Sequence, residues 1–269
     1  MSTFFLEIFK NIENFLFNGL IFRHLVKPMN RTAMTTISPA AEGSAEPKTL
    51  VESAYRALRR DIIEGHLAPG EKLRVEHLKD NYGVGAGTLR EALSLLISDA
   101  LVVSQGQRGF RVAPVSLEDF EDITQTRVML ECEALRQSIA MGDDAWEADL
   151  LAAFHRLAKA EEKLIGSEDR EEWEERNRIF HEVLIAACPS RWLKHFLSIL
   201  YQQAERYRRL SLYLKPIPRD IHAEHEALLQ AAMSRDTEKA TALLGEHILL
   251  TFRSIQTIPK ERLNEKLAA

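Results

Sequence analysis

Apolar positions recur along most of this chain at intervals of three and four, the period of a helix that buries one face. Ala54, Leu58 and Ile62, flanked by Tyr55 and Ile63, predict a helix over 50–64, with Gly65 as its stop and GHLAPG as the turn beyond. Val75 and Leu78 predict a short helix over 74–81, and Gly83 supplies the positive φ at which the chain reverses. Leu89, Ala92, Leu93, Leu96, Ile97, Ala100 and Leu101 predict a third helix over 88–101, with Thr88 as cap and Glu91 completing a capping box. The period then changes. LVVS and FRVA read as two strands joined through Gln105, Gly106, Gln107 and Arg108. Pro114 closes this ribbon, and Ser116 caps the next helix, with Asp119 at the third position.

From Leu117 onward the helical period is almost unbroken. Interruptions at 142–144, 166–167, 188–190, 215–218 and 234–236 mark off six helices, over 117–141, 145–165, 169–187, 190–213, 218–233 and 236–256. Long amphipathic helices on short connections pack antiparallel as a bundle. The fold class is therefore mainly α: a winged helix-turn-helix of three helices and a β-hairpin wing over 48–114, then an all-α bundle over 115–258, with a tail at 259–269. A second helix of that arrangement can lie in a DNA major groove while the wing contacts backbone. The residues alone also permit a small helical hairpin with a β-ribbon that binds nothing.

Length and composition sharpen this reading. At 269 residues, 45% of them hydrophobic and 28% charged, the chain suits two globular domains with ample core. The net charge of −5 conceals an asymmetry: residues 48–114 carry ten Lys/Arg against eight Asp/Glu, and residues 115–269 twenty-one against twenty-eight. An acidic body repels phosphate, so contact with nucleic acid is expected only in the first module. Cys132 and Cys188 lie within apolar helical patterns and read as small buried hydrophobes of a reduced cytoplasm. Residues 1–47 stand apart. They are rich in Phe and Asn, but Glu7, Lys10, Glu13 and Arg23 interrupt every apolar run, so neither a spanning helix nor a signal peptide is expected. Either an amphipathic surface helix or a translation start at Met29 or Met34 accounts for them, with 35–47 as a flexible tail.

The segment 61–112 resembles the GntR family of bacterial transcription regulators. IIEGHLAPGEKL matches the family's opening motif, GVGAGTLREAL its recognition-helix motif, and GFRV its wing exit. The resemblance implies a regulator that binds double-stranded operator DNA as a homodimer, with Arg74, Gly87, Thr88, Arg90, Gln107 and Arg108 as candidate DNA contacts. One departure matters. Family members usually place an arginine where Ala86 stands, and Gly85, Ala86, Gly87 and Thr88 replace the usual run. A bidentate arginine–guanine pair is worth ~1–3 kcal/mol of discrimination, so the site read here differs from the usual one, and small residues permit closer approach.

Three of the nine histidines stand out in the second half. His181 lies four residues after Asn177 and shares its helix face. His225 and His247 lie on the last two predicted helices, next to Glu224 and Glu246. A bundle can bring such side chains to one point, and imidazole suits Zn²⁺ or Ni²⁺, but the pattern equally suits partly buried core histidines. Residues 117–256 resemble the FCD effector-binding domain through TRVMLE, NRIFH, AEHEALLQAAMSRD and GEHILL. That resemblance implies a divalent ion (Zn²⁺, Ni²⁺ or Mn²⁺) held by Asn177, His181, His225 and His247. Asn in place of the commoner Asp removes a charge and implies weaker affinity.

The resemblance further implies a small organic acid as effector, with Arg127 as the guanidinium that pairs with its carboxylate and Arg178 and Arg208 as further candidates. The plain alternative for Arg127 is an ion pair with Glu131 at helical spacing, worth ~0.3–0.5 kcal/mol if exposed. GVGAGTLREALS, RGFRVAPVS and GDDAWEADLLA are similar to family members that repress glutarate and lysine-derived carbon metabolism, which implies a C5 dicarboxylate such as glutarate. The reading is of a regulator and not an enzyme. The competing one is a metal-dependent hydrolase built on His181, His225 and His247, with Glu224 or Glu246 as base.

Overall fold

The computed structural model describes residues 49–106, 109–164, 170–212 and 219–257. The extension at 1–47, the tail at 259–269, and Gln107 and Arg108 of the wing lie outside them. Helix α1 (Leu50–Ile63) begins at Thr49, whose hydroxyl accepts from the Glu52 amide, and buries Ala54, Leu58, Ile62 and Ile63. Strand β1 (Lys72–Leu73), α2 (Val75–Tyr82), α3 (Ala86–Ser98), β2 (Val102–Ser104) and β3 (Phe110–Val112) complete the first module. Gly83 takes φ +64° between α2 and α3, the left-handed geometry expected of it. Leu58, Leu89, Leu93, Leu96, Leu101 and Val112 form the module's core.

Three local readings are corrected. The wing hairpin gains a third strand: β1 pairs antiparallel with β3, Leu73 opposite Phe110, so β3 is central and the order is β1-β3-β2. Two residues of strand carry no periodicity for a sequence to display. Helix α3 starts two residues early, with Gly85 at its N-cap, so Thr88 lies inside the first turn and does not cap. It also ends early. Ala100 adopts φ +56°, Ala100 N–H donates to the Ile97 carbonyl at 3.0 Å, and Leu101 N–H donates to the Leu96 carbonyl at 2.9 Å. This Schellman ending puts Leu101 into the core beyond the helix, an apolar position that helical periodicity also accommodates.

The second module consists of α4 (Leu117–Met141), α5 (Asp144–Leu164), α6 (Arg170–Leu184), α7 (Arg191–Leu212), α8 (Ile221–Met233) and α9 (Thr237–Gln256), close to the six predicted helices. Ser116 caps α4 as its sequence implies, accepting from the Asp119 amide at 3.0 Å. The helices pack α4 on α9 and α7, α5 on α6 and α8, and α8 on α9. Leu135, Leu150, Leu157, Phe180, Leu184 and Leu228 fill the space between them. A smaller cluster of Phe120, Tyr207, Phe252 and Ile255 closes the end nearest the first module, the Phe120 and Tyr207 rings stacking at 4.3 Å. No helix among the described residues is long and apolar enough to cross a membrane.

Candidate functional site

The bundle brings polar side chains from six helices to one buried place. On α6, Glu174, Asn177 and His181 fall at helical spacing on the inward face, and all three are buried. His225 comes from α8 and His247 from α9. The His225 and His247 ring centroids lie 4.8 Å apart, His181 and His247 5.1 Å, and His181 and His225 5.6 Å. One ring nitrogen of each lies within 4.8 Å of the others. Burial pushes His181 well below the ordinary imidazole range, and the neighbouring histidines, Arg127 and Arg208 push it further. Burial does the same to His247, joined by His225, Arg219, Arg127 and Arg208. Neutral rings keep a lone pair, the form in which imidazole ligates a metal.

For His225 the hydrogen bonding decides which nitrogen holds the lone pair. His225 Nδ1–H donates to Glu161 Oε1 at 2.7 Å, and because a carboxylate can only accept, the proton is on Nδ1 and the lone pair on Nε2. That Nε2 atom is buried without a partner, an arrangement that costs free energy unless something fills it. His247 Nδ1 lies between Glu224 Oε2 at 2.9 Å, which can only accept, and Arg219 Nη2 at 3.2 Å, which can only donate. Asn177 donates its amide to the Tyr201 hydroxyl at 2.8 Å, which fixes the side chain's rotation and leaves Oδ1 as the atom it can offer. Three imidazoles, one orphaned buried nitrogen among them, and an amide oxygen fit a divalent ion of the Zn²⁺ or Ni²⁺ kind.

Two arginines adjoin this set. Arg208 of α7 places its Cζ 4.5 Å from the Tyr201 ring centre and donates through Nη2 to Glu174 at 3.1 Å. Arg127 of α4 places its Cζ 5.1 Å from the same ring centre and donates from Nε to Glu131 at 2.7 Å. The Arg127–Glu131 pair is thus real but almost fully buried, where a pair helps to orient a guanidinium far more than it adds stability. Arg178 differs from the expectation of an effector contact: it is held by Glu175 and Glu182 on its own helix, in three hydrogen bonds of 2.6–2.9 Å. Its register on α6 is one step off the face that carries Asn177 and His181. The hydrolase reading also loses its bases. Glu224 is taken up by Arg219 and His247, and Glu246 pairs with Arg253 in solvent.

Sequence reasoning missed Glu161, Glu174 and Tyr201, which reach across to His225, Arg208 and Asn177 on other helices. Glu161 was legible only as one of many charged positions on α5.

In the first module Arg74, Gly87 and Arg90 are exposed and Thr88 is half-buried at the start of α3. A Cβ built on Gly85 or Gly87 meets nothing within 4 Å, so packing inside the chain gives no reason for either glycine. The module is tied to the bundle by α7. Gln203 donates to the Asp99 carbonyl at 2.7 Å, Arg206 to the Ala113 carbonyl at 2.7 Å, and Arg59 to Gln202 at 3.3 Å.

The profile of the bacterial regulatory proteins of the gntR family matches residues 50–112, and that of the FCD domain matches residues 122–250. The HTH-type transcriptional regulator BphR of Paraburkholderia xenovorans (strain LB400) is 49% identical over 206 residues, covering 76% of this chain and 84% of that protein. The HTH-type transcriptional repressor GlaR of Escherichia coli (strain K12) is 38% identical over 206 residues, covering 75% and 94%. The chain belongs to the GntR family. It is a transcriptional regulator of the GntR/FCD type, and GntR regulators bind operator DNA. The solved structure of E. coli McbR/YncC superposes with a TM-score of 0.65 over 77% of this chain and 97% of that one, at 22% identity, and shares the fold. Helix α3 lies inside the GntR match, and the histidine cluster lies inside the FCD match.

Proposed function

We propose that this GntR regulator is a repressor whose operator affinity is set by a small organic acid, a C5 dicarboxylate such as glutarate, bound in the FCD bundle. Residues 48–114 are the DNA-reading head, and residues 115–258 the effector-binding and dimerisation domain. The observation that carries the reading is the convergence of His181, His225 and His247 beside the buried guanidiniums of Arg127 and Arg208. Asn177, His181, His225 and His247 would hold a divalent ion, Zn²⁺, Ni²⁺ or Mn²⁺, and that ion would supply a cationic centre for one carboxylate. Arg127 and Arg208, each braced by a carboxylate partner and by the Tyr201 ring, would receive the other end of a diacid. The name of the relative GlaR supports repression, and the relatives' names are those of regulators rather than enzymes.

On the DNA side, Arg74, Gly87, Thr88 and Arg90 would contact the operator, together with Gln107 and Arg108, which lie outside the described residues. Two such heads related by two-fold symmetry would read two half-sites. A ligand controls DNA only through different affinities for the two arrangements of the heads. The test is a gel shift on DNA upstream of the protein's own gene, with Zn²⁺ present, titrated with glutarate and with monoacids of equal length. Release of DNA by the diacid at concentrations where monoacids have no effect supports the reading. DNA binding unchanged by any diacid removes the effector half, and no DNA binding removes the whole.

A further inference from the structure

We propose that Glu161 of α5 is a positioning residue for the ion site: by holding the proton of His225 on Nδ1, it keeps the Nε2 lone pair turned toward His181 and His247. The inference rests on the ion-binding reading above and adds a residue from a helix that contributes no ligand. The Glu161 carboxylate is almost buried and uses both oxygens. Oε1 accepts from His225 Nδ1 and Oε2 accepts from His222 Nδ1, each at 2.7 Å. Among the described residues it pairs with no lysine or arginine, so its charge is directed at the two imidazoles. Glu224 Oε2 lies 2.9 Å from His247 Nδ1 but differs from Glu161, because Arg219 donates to both its oxygens, at 2.6 and 2.5 Å, and also lies 3.2 Å from that nitrogen.

The reason such a residue is needed lies in the ligand set. Three imidazoles and the Asn177 amide bring no negative charge to a cation. A carboxylate hydrogen-bonded to the far nitrogen of a ligand imidazole makes that ring more basic and fixes its rotation. Glu161 thereby returns, one bond removed, part of the charge that an Asp at 177 would have supplied. It also removes the alternative tautomer, in which a buried Nε2–H would point into the cluster and block it. His222 is half-exposed and bridges the same carboxylate to solvent, so it anchors the outer oxygen while His225 takes the inner one.

The experiment uses the full chain freed of metal with a chelator. Two-bond ¹H–¹⁵N correlation spectra report which nitrogen of His225 carries the proton, and a chromophoric chelator competition with Zn²⁺ alone reports affinity. The expected result is His225 protonated on Nδ1 in the wild type, a mixture of tautomers in Glu161→Gln, and Zn²⁺ affinity weaker by about ten- to a hundred-fold. Thermal unfolding of the two metal-free proteins should agree closely, which separates positioning from a folding defect. Should Glu161→Gln fold poorly, the wild-type spectrum decides alone: a proton on Nε2 overturns the inference. Equal Zn²⁺ affinity in the two folded proteins also overturns it. A wild type that takes up no Zn²⁺ while showing the expected tautomers instead sinks the ion-binding reading, and the metal role of Glu161 with it.

Discussion

Arg206 Nη2, deep under the junction of the two modules, donates to the carbonyl of Ala113 at 2.7 Å, so a bundle helix holds the exit of the wing. The same α7 carries Tyr201 and Arg208 into the histidine site and Gln203 onto the Asp99 carbonyl. A rigid helix that touches both the site and the head is a physical route by which one can bias the other. Burial makes Arg206 costly to charge and pushes its proton affinity down, partly offset by Tyr207 and Asp119. Arg206→Met should therefore remove one buried charge and orphan one buried carbonyl. The net loss expected is ~1–3 kcal/mol in urea unfolding, with the response of DNA binding to diacid reduced more than DNA binding itself. An unchanged response would show that the junction carries no signal.

Asn177→Asp should tighten Zn²⁺ binding. The carboxylate adds a full charge where the amide has only a dipole, and Tyr201 can turn to donate where it now accepts. A gain of at least about tenfold, ~1.4 kcal/mol, is expected in chelator competition. Weaker binding by the variant would mean that residue 177 lies outside the ligand set.

Gly87 has open space around it and sits in the first turn of α3. Alanine there should stabilise the head by up to about 1 kcal/mol, since it loses less backbone entropy on entering a helix. DNA affinity should nevertheless fall, if closeness to DNA is what the glycine serves. Melting temperature and gel shift measured on one preparation separate the two effects, and a rise in both would refute the close-approach explanation.

Ala100 is exposed and strained in the left-handed region at φ +56°. Glycine removes the Cβ clash that costs ~1–2 kcal/mol, although its freer unfolded chain returns part of that gain. Ala100→Gly should raise stability by roughly 0.5–1 kcal/mol in urea, without altering operator binding. A loss of stability would argue against the Schellman ending of α3.

Cys132 donates its thiol to the Thr241 carbonyl at 3.3 Å, and burial, aided by the Glu131 charge, pushes its pKa up to about 11. At pH 8 it should react with iodoacetamide on the order of 10² more slowly than a free thiol, because only the thiolate attacks. Rapid labelling of Cys132 in the folded protein, read by mass spectrometry, would contradict this packing.

Much of this protein is written in its periodicity. The six bundle helices, the Gly83 reversal, the Ser116 cap and the shared face of Asn177 and His181 can be read from the chain alone, because helical spacing and φ preference act over a few residues. Glycine at the start of α3 and alanine at its end escape such a reading because neither residue announces its role: Gly85 caps through its backbone, and Ala100 takes a conformation its side chain resists. The tertiary structure decided which helices face each other. Only packing sets Glu161 against His225 across sixty-four residues, brings Arg208 to Glu174 of another helix while Arg178 stays with its own glutamates, and gives β1 its partner. Sequence spacing fixes a side chain's direction on its own helix, whereas the direction from which another helix approaches depends on how all the buried faces fill space together.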